Sequence, residues 1–128
     1  MSKQYFSRIL SAAVFLALTA LPGHAQDSDG CYNASGCVSS SSKWSGNKLI
    51  TTIHNKCAGG IYIKVCTRRT KGKPDCGASH VNGRSKYTFS GYNAHSSGDA
   101  RYTWVGSMRS SKDWVCTGKV SGWHDSLF

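Results

Sequence analysis

The sequence predicts an all-β protein, a small antiparallel sandwich or open barrel of about five strands held together by disulfides. Three observations carry that prediction. From Leu49 onward, apolar and polar residues alternate with the period of two that a strand imposes, in short runs separated by Gly, Asn and Ser clusters. Beyond the N-terminal segment, no stretch longer than about eight residues shows the three-to-four spacing of an amphipathic helix. All six cysteines follow an export signal, which would deliver them to an oxidising compartment where disulfides form and persist.

The signal is read over residues 1–25. Lys3 and Arg8 open it, an apolar run covers residues 9–21, and Gly23 and Ala25 offer small residues three and one before a cut after Ala25. The run of about 13 residues is shorter than the roughly 20 that cross a bilayer, and no second run follows. The reading is therefore a secreted or periplasmic protein with no integral membrane span, a monomer of one domain, since about 103 residues suit one small unit. In that region Leu, Ile, Val and Phe make up about 14%, below the roughly 20% at which highly charged chains stay unfolded. Eleven aromatic residues and six cysteines offset the thin core, because each disulfide stabilises by about 2–4 kcal/mol.

The elements follow in order. Residues 26–47 are Ser- and Gly-rich, with Ser39 to Ser42 in one run, and read as a flexible arm in which Cys31 and Cys37 close a local loop. A disulfide-stapled β domain is predicted over residues 48–128. Its first strands are 48–55 and 60–68, with Cys57-Ala58-Gly59-Gly60 as the turn; in the second, Ile61, Ile63 and Val65 oppose Tyr62, Lys64 and Cys66. Residues 70–84 hold Gly72, Pro74, Gly77 and Gly83 and read as a long loop tied by Cys76. Later strands are predicted over 86–92, 100–107 and 113–117. Six cysteines permit 15 pairings and the sequence does not choose among them; the preferred set is Cys31 with Cys37, Cys66 with Cys76 and Cys57 with Cys116.

Charge narrows the partner chemistry. Apart from Lys3 and Arg8, fourteen Lys and Arg face six Asp, and glutamate is absent. Such an excess attracts anionic polymers or acidic proteins, although charge alone selects no ligand. Metal binding is not predicted, since the cysteine gaps are 6, 20, 9, 10 and 40 residues, unlike the close pairs of zinc sites, and an oxidised cysteine offers no thiolate. No cofactor is implied. Catalysis by paired carboxylates is disfavoured by the missing glutamate, and no G-x-S-x-G nucleophile turn occurs. His95-Ser96-Ser97-Gly98-Asp99 collects the three triad residue types in one stretch, but triads draw on separate parts of a fold, so it reads as a polar turn.

Two functions of different kinds remain. The favoured one is a non-catalytic binding module for an anionic partner, whether cell-envelope polysaccharide, nucleic acid or acidic protein. Its contact residues are read as Arg68, Arg69, Lys71 and Lys73, adjoined by a strand surface with Tyr62, Lys64 and Arg101. The alternative is a small basic ribonuclease-like hydrolase. There, two of His54, His80, His95 and His124 would exchange protons with the phosphodiester, with Asp125 orienting His124.

Overall fold

The computed structural model describes residues 25–120, so the predicted signal up to residue 24, His124 and Asp125 lie outside the described residues. Seven strands and one short helix follow in order: β1 Cys31–Tyr32, β2 Val38–Ser45, β3 Lys48–Asn55, β4 Ile61–Thr67, β5 Asp75–Val81, β6 Lys86–Gly91, β7 Ala100–Ser107 and α1 Trp114–Gly118. They form two open antiparallel sheets, one in the order β1-β7-β4-β5 and the other β2-β3-β6. The predicted all-β class therefore holds.

Alternation along each strand sorts residues between the core and the outside. In β3, Leu49, Thr51, Ile53 and Asn55 are buried while the residues between them are half-buried or exposed. In β4, Ile61, Ile63 and Val65 point the same way and meet Ile53, Tyr87 and Phe89 across the gap between the sheets. Gly77 of β5 makes this approach possible, because a Cβ there would lie 2.7 Å from the Phe89 ring. The opposite side of β4 is covered as well: Tyr62 packs with Val105, Cys31 and Cys116 in a second cluster beneath α1.

Several predicted features are corrected. The segment 26–47 is not a loose arm throughout, since Val38–Ser45 pairs with β3 along its whole length. Backbone groups supply this pairing, so serines suffice at an edge, and Gly46, with φ of 61° at the first of two turn positions, closes the hairpin. Residues 75–81, expected within a loop, form β5 beside β4. The predicted strand over 113–117 is instead a helical turn, whose N-cap Asp113 accepts the Cys116 N–H at 3.1 Å.

The disulfides are Cys31–Cys116, Cys37–Cys57 and Cys66–Cys76. Only the last pairing was preferred from the sequence; the proposed Cys31–Cys37 and Cys57–Cys116 links are not formed. Strand pairing overrides sequence proximity: Cys31 lies in β1 against β7, which leads into α1 and Cys116, whereas Cys37 immediately precedes β2, beside the end of β3. Three disulfides place the folded chain in an oxidising, extracytoplasmic environment. No helix among the described residues is long and apolar enough to cross a membrane.

Candidate anion-binding face

Of the residues predicted to form one cationic site, Lys64 and Arg101 stand in adjacent rows on the outer face of the four-stranded sheet, and the Arg68 N–H donates to Asp99 O close by. Lys71 and Lys73 are exposed in the turn around Gly72, and Arg68 is exposed beside them. Arg69 turns to Asp75, with Nη2 at 3.2 Å from Oδ1, and Arg101 lies 3.7 Å from Asp99. Acidic neighbours thus offset part of this end of the molecule. Lys64 is half-buried on the outer side of β4, in the row between the Tyr62 and Cys66 rows, the latter holding Arg101. Tyr62 is not a surface ring: it is 6% exposed, and burial raises its phenol pKa. A tyrosine in that position supports the second core and offers no stacking face.

A different set of cations converges at the far end of β3. Lys56 follows the last residue of β3, while Arg84 and Lys86 come from the turn and start of β6. The β3–β6 register brings them together and sets His54 directly opposite Lys86. With Asn55 and Ser85, these four residues line an open depression of about 610 Å³. All four are exposed. Ion pairs among the described residues join Arg69 to Asp75, Arg101 to Asp99, and Lys119 to both Asp27 and Asp29, and none involves Lys56, Arg84 or Lys86.

The loops that carry these cations are fastened from beneath. Asn55, 2% exposed, donates through Nδ2 to the carbonyls of Gly59 at 2.8 Å, Asn82 at 3.2 Å and Val81 at 3.3 Å, and its Oδ1 accepts the Cys57 N–H at 3.1 Å. Backbone bonds continue the clasp: Lys56 N–H to Cys37 O, Arg84 N–H to Cys57 O and Asn55 N–H to Ser85 O. The Cys37–Cys57 bridge ties the same strip covalently. Arg84 itself has φ of 56°, a left-handed conformation unusual for a residue with a side chain. The hydrogen bond from its N–H to Cys57 O helps hold it there.

Other features compete less well as an anion site. A second cavity of about 640 Å³ is lined by Tyr32, Ala34, Trp104, Val105 and Val120 among others, so its wall is largely apolar. At its rim Lys119 is held by Asp27 and Asp29, and the bond from Lys119 lowers the Asp27 carboxyl pKa below its ordinary value. The cluster of Cys31, Asp113 and Cys116 consists of a closed disulfide and a helix cap, so its sulfurs are not available as thiolate ligands. The stretch from His95 to Asp99 is a local turn, in which the Ser97 N–H donates to His95 Nδ1 at 3.1 Å.

Sequence reasoning missed the Lys56, Arg84 and Lys86 grouping because the residues are separated along the chain. The available signal was positional: cations flank the ends of two strand candidates that later pair. No protein-family model matches the chain, and no curated protein or solved structure matches it either.

Proposed function

We propose that this chain is an exported, disulfide-locked binding module for an anionic partner and carries out no chemistry of its own. The observation that supports this reading is the convergence of Lys56, Arg84, Lys86 and His54 around one open depression, with no ion pair from the described acids to its lysines or arginine. Such a group attracts anions and releases counterions from a polyanion on binding. Arg84 presents its guanidinium at this depression from a left-handed backbone that glycine would adopt at less cost.

The hydrolase alternative needs two imidazoles in one cleft. Among the described residues, His54 lies on the outer face of the β2-β3-β6 sheet and His80 on β5 of the other sheet, with Nε2 3.4 Å from Ser107 O. His95 sits beyond the opposite end of β3, where the Ala94 N–H donates to Asn47 O. These placements favour binding over acid–base catalysis by that trio.

Retention of the oxidised protein on a heparin resin, eluted over a salt gradient, tests the proposal. Replacing Lys56, Arg84 and Lys86 together with Ala should move elution to markedly lower salt, while replacing Arg68, Arg69, Lys71 and Lys73 should move it less. Equal elution of wild type and the triple variant would refute the assignment of this depression.

A further inference from the structure

We infer that the outer face of the β2-β3-β6 sheet is a track for an extended acidic polysaccharide, with the Lys56, Arg84 and Lys86 depression as one end of it. This inference rests on the anionic-partner reading and specifies both the footprint and the ligand class.

The strand register defines the face. One cross-strand row holds Ser39, His54 and Lys86, and the next holds Ser41, Thr52 and Thr88. Then come Lys43, Ile50 and Ser90, followed by Ser45 and Lys48. These positions alternate with the buried set of β3 and are half-buried or exposed. Successive rows lie about 7 Å apart, so the face runs about 20 Å from Lys86 to Lys48. Cations thus occur in the first, third and fourth rows, and none of the three strands contains an acidic residue. The Asp75 carboxylate, on the other sheet, accepts the Tyr92 N–H just past β6 and pairs with Arg69.

The chemistry between the cations selects the polymer. Hydroxyls fill the middle of the face, with Thr52 and Thr88 Oγ1 atoms 3.4 Å apart and exposed. Hydroxyls both donate and accept, which suits sugar hydroxyls and the oxygens of sulfate or carboxylate groups. Single-stranded nucleic acid would call for aromatic platforms along the track. The four rows contain no Phe, Tyr or Trp and a single imidazole, that of His54, which is one ring and not a row of platforms; Tyr92 comes only beyond them, with Lys48 Nζ 5.4 Å from its ring centre. An acidic protein partner would favour a bulky apolar centre, for which the face offers Ile50 alone. A linear polymer with charges along its length matches cations spread over several rows better than a compact anion does.

The test is titration of the oxidised chain with size-fractionated heparin oligosaccharides at low salt, followed by calorimetry and by backbone amide shifts. Affinity should rise with oligosaccharide length until the chain covers about 20 Å, and amides of all three strands should shift. Replacing Lys43 and Lys48 with Ala should weaken long oligosaccharides by about fivefold, while the shortest bind as before. Unfolding curves of this variant matching those of wild type would establish that the loss is one of binding. If short and long chains bind alike and the Lys43 and Lys48 variant is unchanged, the track is refuted while the depression stands. If neither this variant nor the Lys56, Arg84 and Lys86 variant alters binding, the anionic-partner reading fails as well. Oligothymidylate binding as tightly as oligosaccharide of equal charge would overturn the polysaccharide assignment.

Discussion

Replacing Asn55 with Ala should unfasten the two loops that carry Lys56 and Arg84. The side chain makes contacts to Gly59, Val81, Asn82 and Cys57, but its amide has two hydrogens, so the three carbonyl contacts share two strong bonds. With the bond accepted from Cys57, that is about three net hydrogen bonds at about 1 kcal/mol each. Buried groups left without partners push the cost upward, so the expected loss is about 3 kcal/mol or somewhat more. For a domain of this size that lowers the melting temperature by roughly 12–24 °C. Guanidinium unfolding with the disulfides intact, read by circular dichroism, gives the free energy directly. At temperatures well below the transition, the variant should also leave a heparin resin at lower salt, although no cation has been removed. A loss below about 1 kcal/mol with an unchanged denaturant slope would show that Asn55 does not clasp the loops.

Three further outcomes are expected. Asp113 has its carboxyl pKa lowered, first by the Cys116 amide and also by the Ser107 hydroxyl, so its stabilising effect is present above the unfolded value and is lost as pH falls through the folded one; melting temperature should drop more steeply below about pH 4 in the wild type than in Asp113→Asn. Loop closure ranks the disulfides by sequence separation, 85 for Cys31–Cys116, 20 for Cys37–Cys57 and 10 for Cys66–Cys76. Paired Ser substitutions should therefore cost about 4.6, 3.3 and 2.7 kcal/mol in that order, and a reversed order in chemical unfolding would contradict the chain-entropy account. In Gly83→Ala the new Cβ would lie 1.8 Å from Ala58 O, so the two loops must part; a loss of about 1–3 kcal/mol is expected, and a crystal structure with the loops unmoved would refute it.

The strands legible in the sequence were those with their own apolar alternation, namely β3, β4, β6 and β7. Ile61, Ile63 and Val65 announce a buried face whatever lies opposite. The other strands borrow their reason from neighbours. The serines of β2 reveal little alone and become a strand because β3 offers a free edge. Gly77 of β5 lacks a side chain because aromatic rings from β6 fill the space above it. Trp114, Val115 and Cys116 alternate as a strand would, but the Asp113 cap governs their backbone. The site follows the same logic. Arg68 to Lys73 stand out as a contiguous run, yet Asp75 lies against one of them. Lys56 and Lys86 are 30 positions apart in the chain and meet through pairing that no local pattern discloses.

The Cys37–Cys57 bridge has a consequence for when the cations around the depression are brought together. Lys56 hangs from the Cys37 carbonyl and Arg84 from the Cys57 carbonyl, so one sulfur–sulfur bond sits under both. Until that bond is made, the chain carries the same positive charges without the covalent tie beneath them. On the proposed reading, oxidation would act as a licence: the cations would come together only once the disulfide has formed, outside the reducing compartment crowded with nucleic acid.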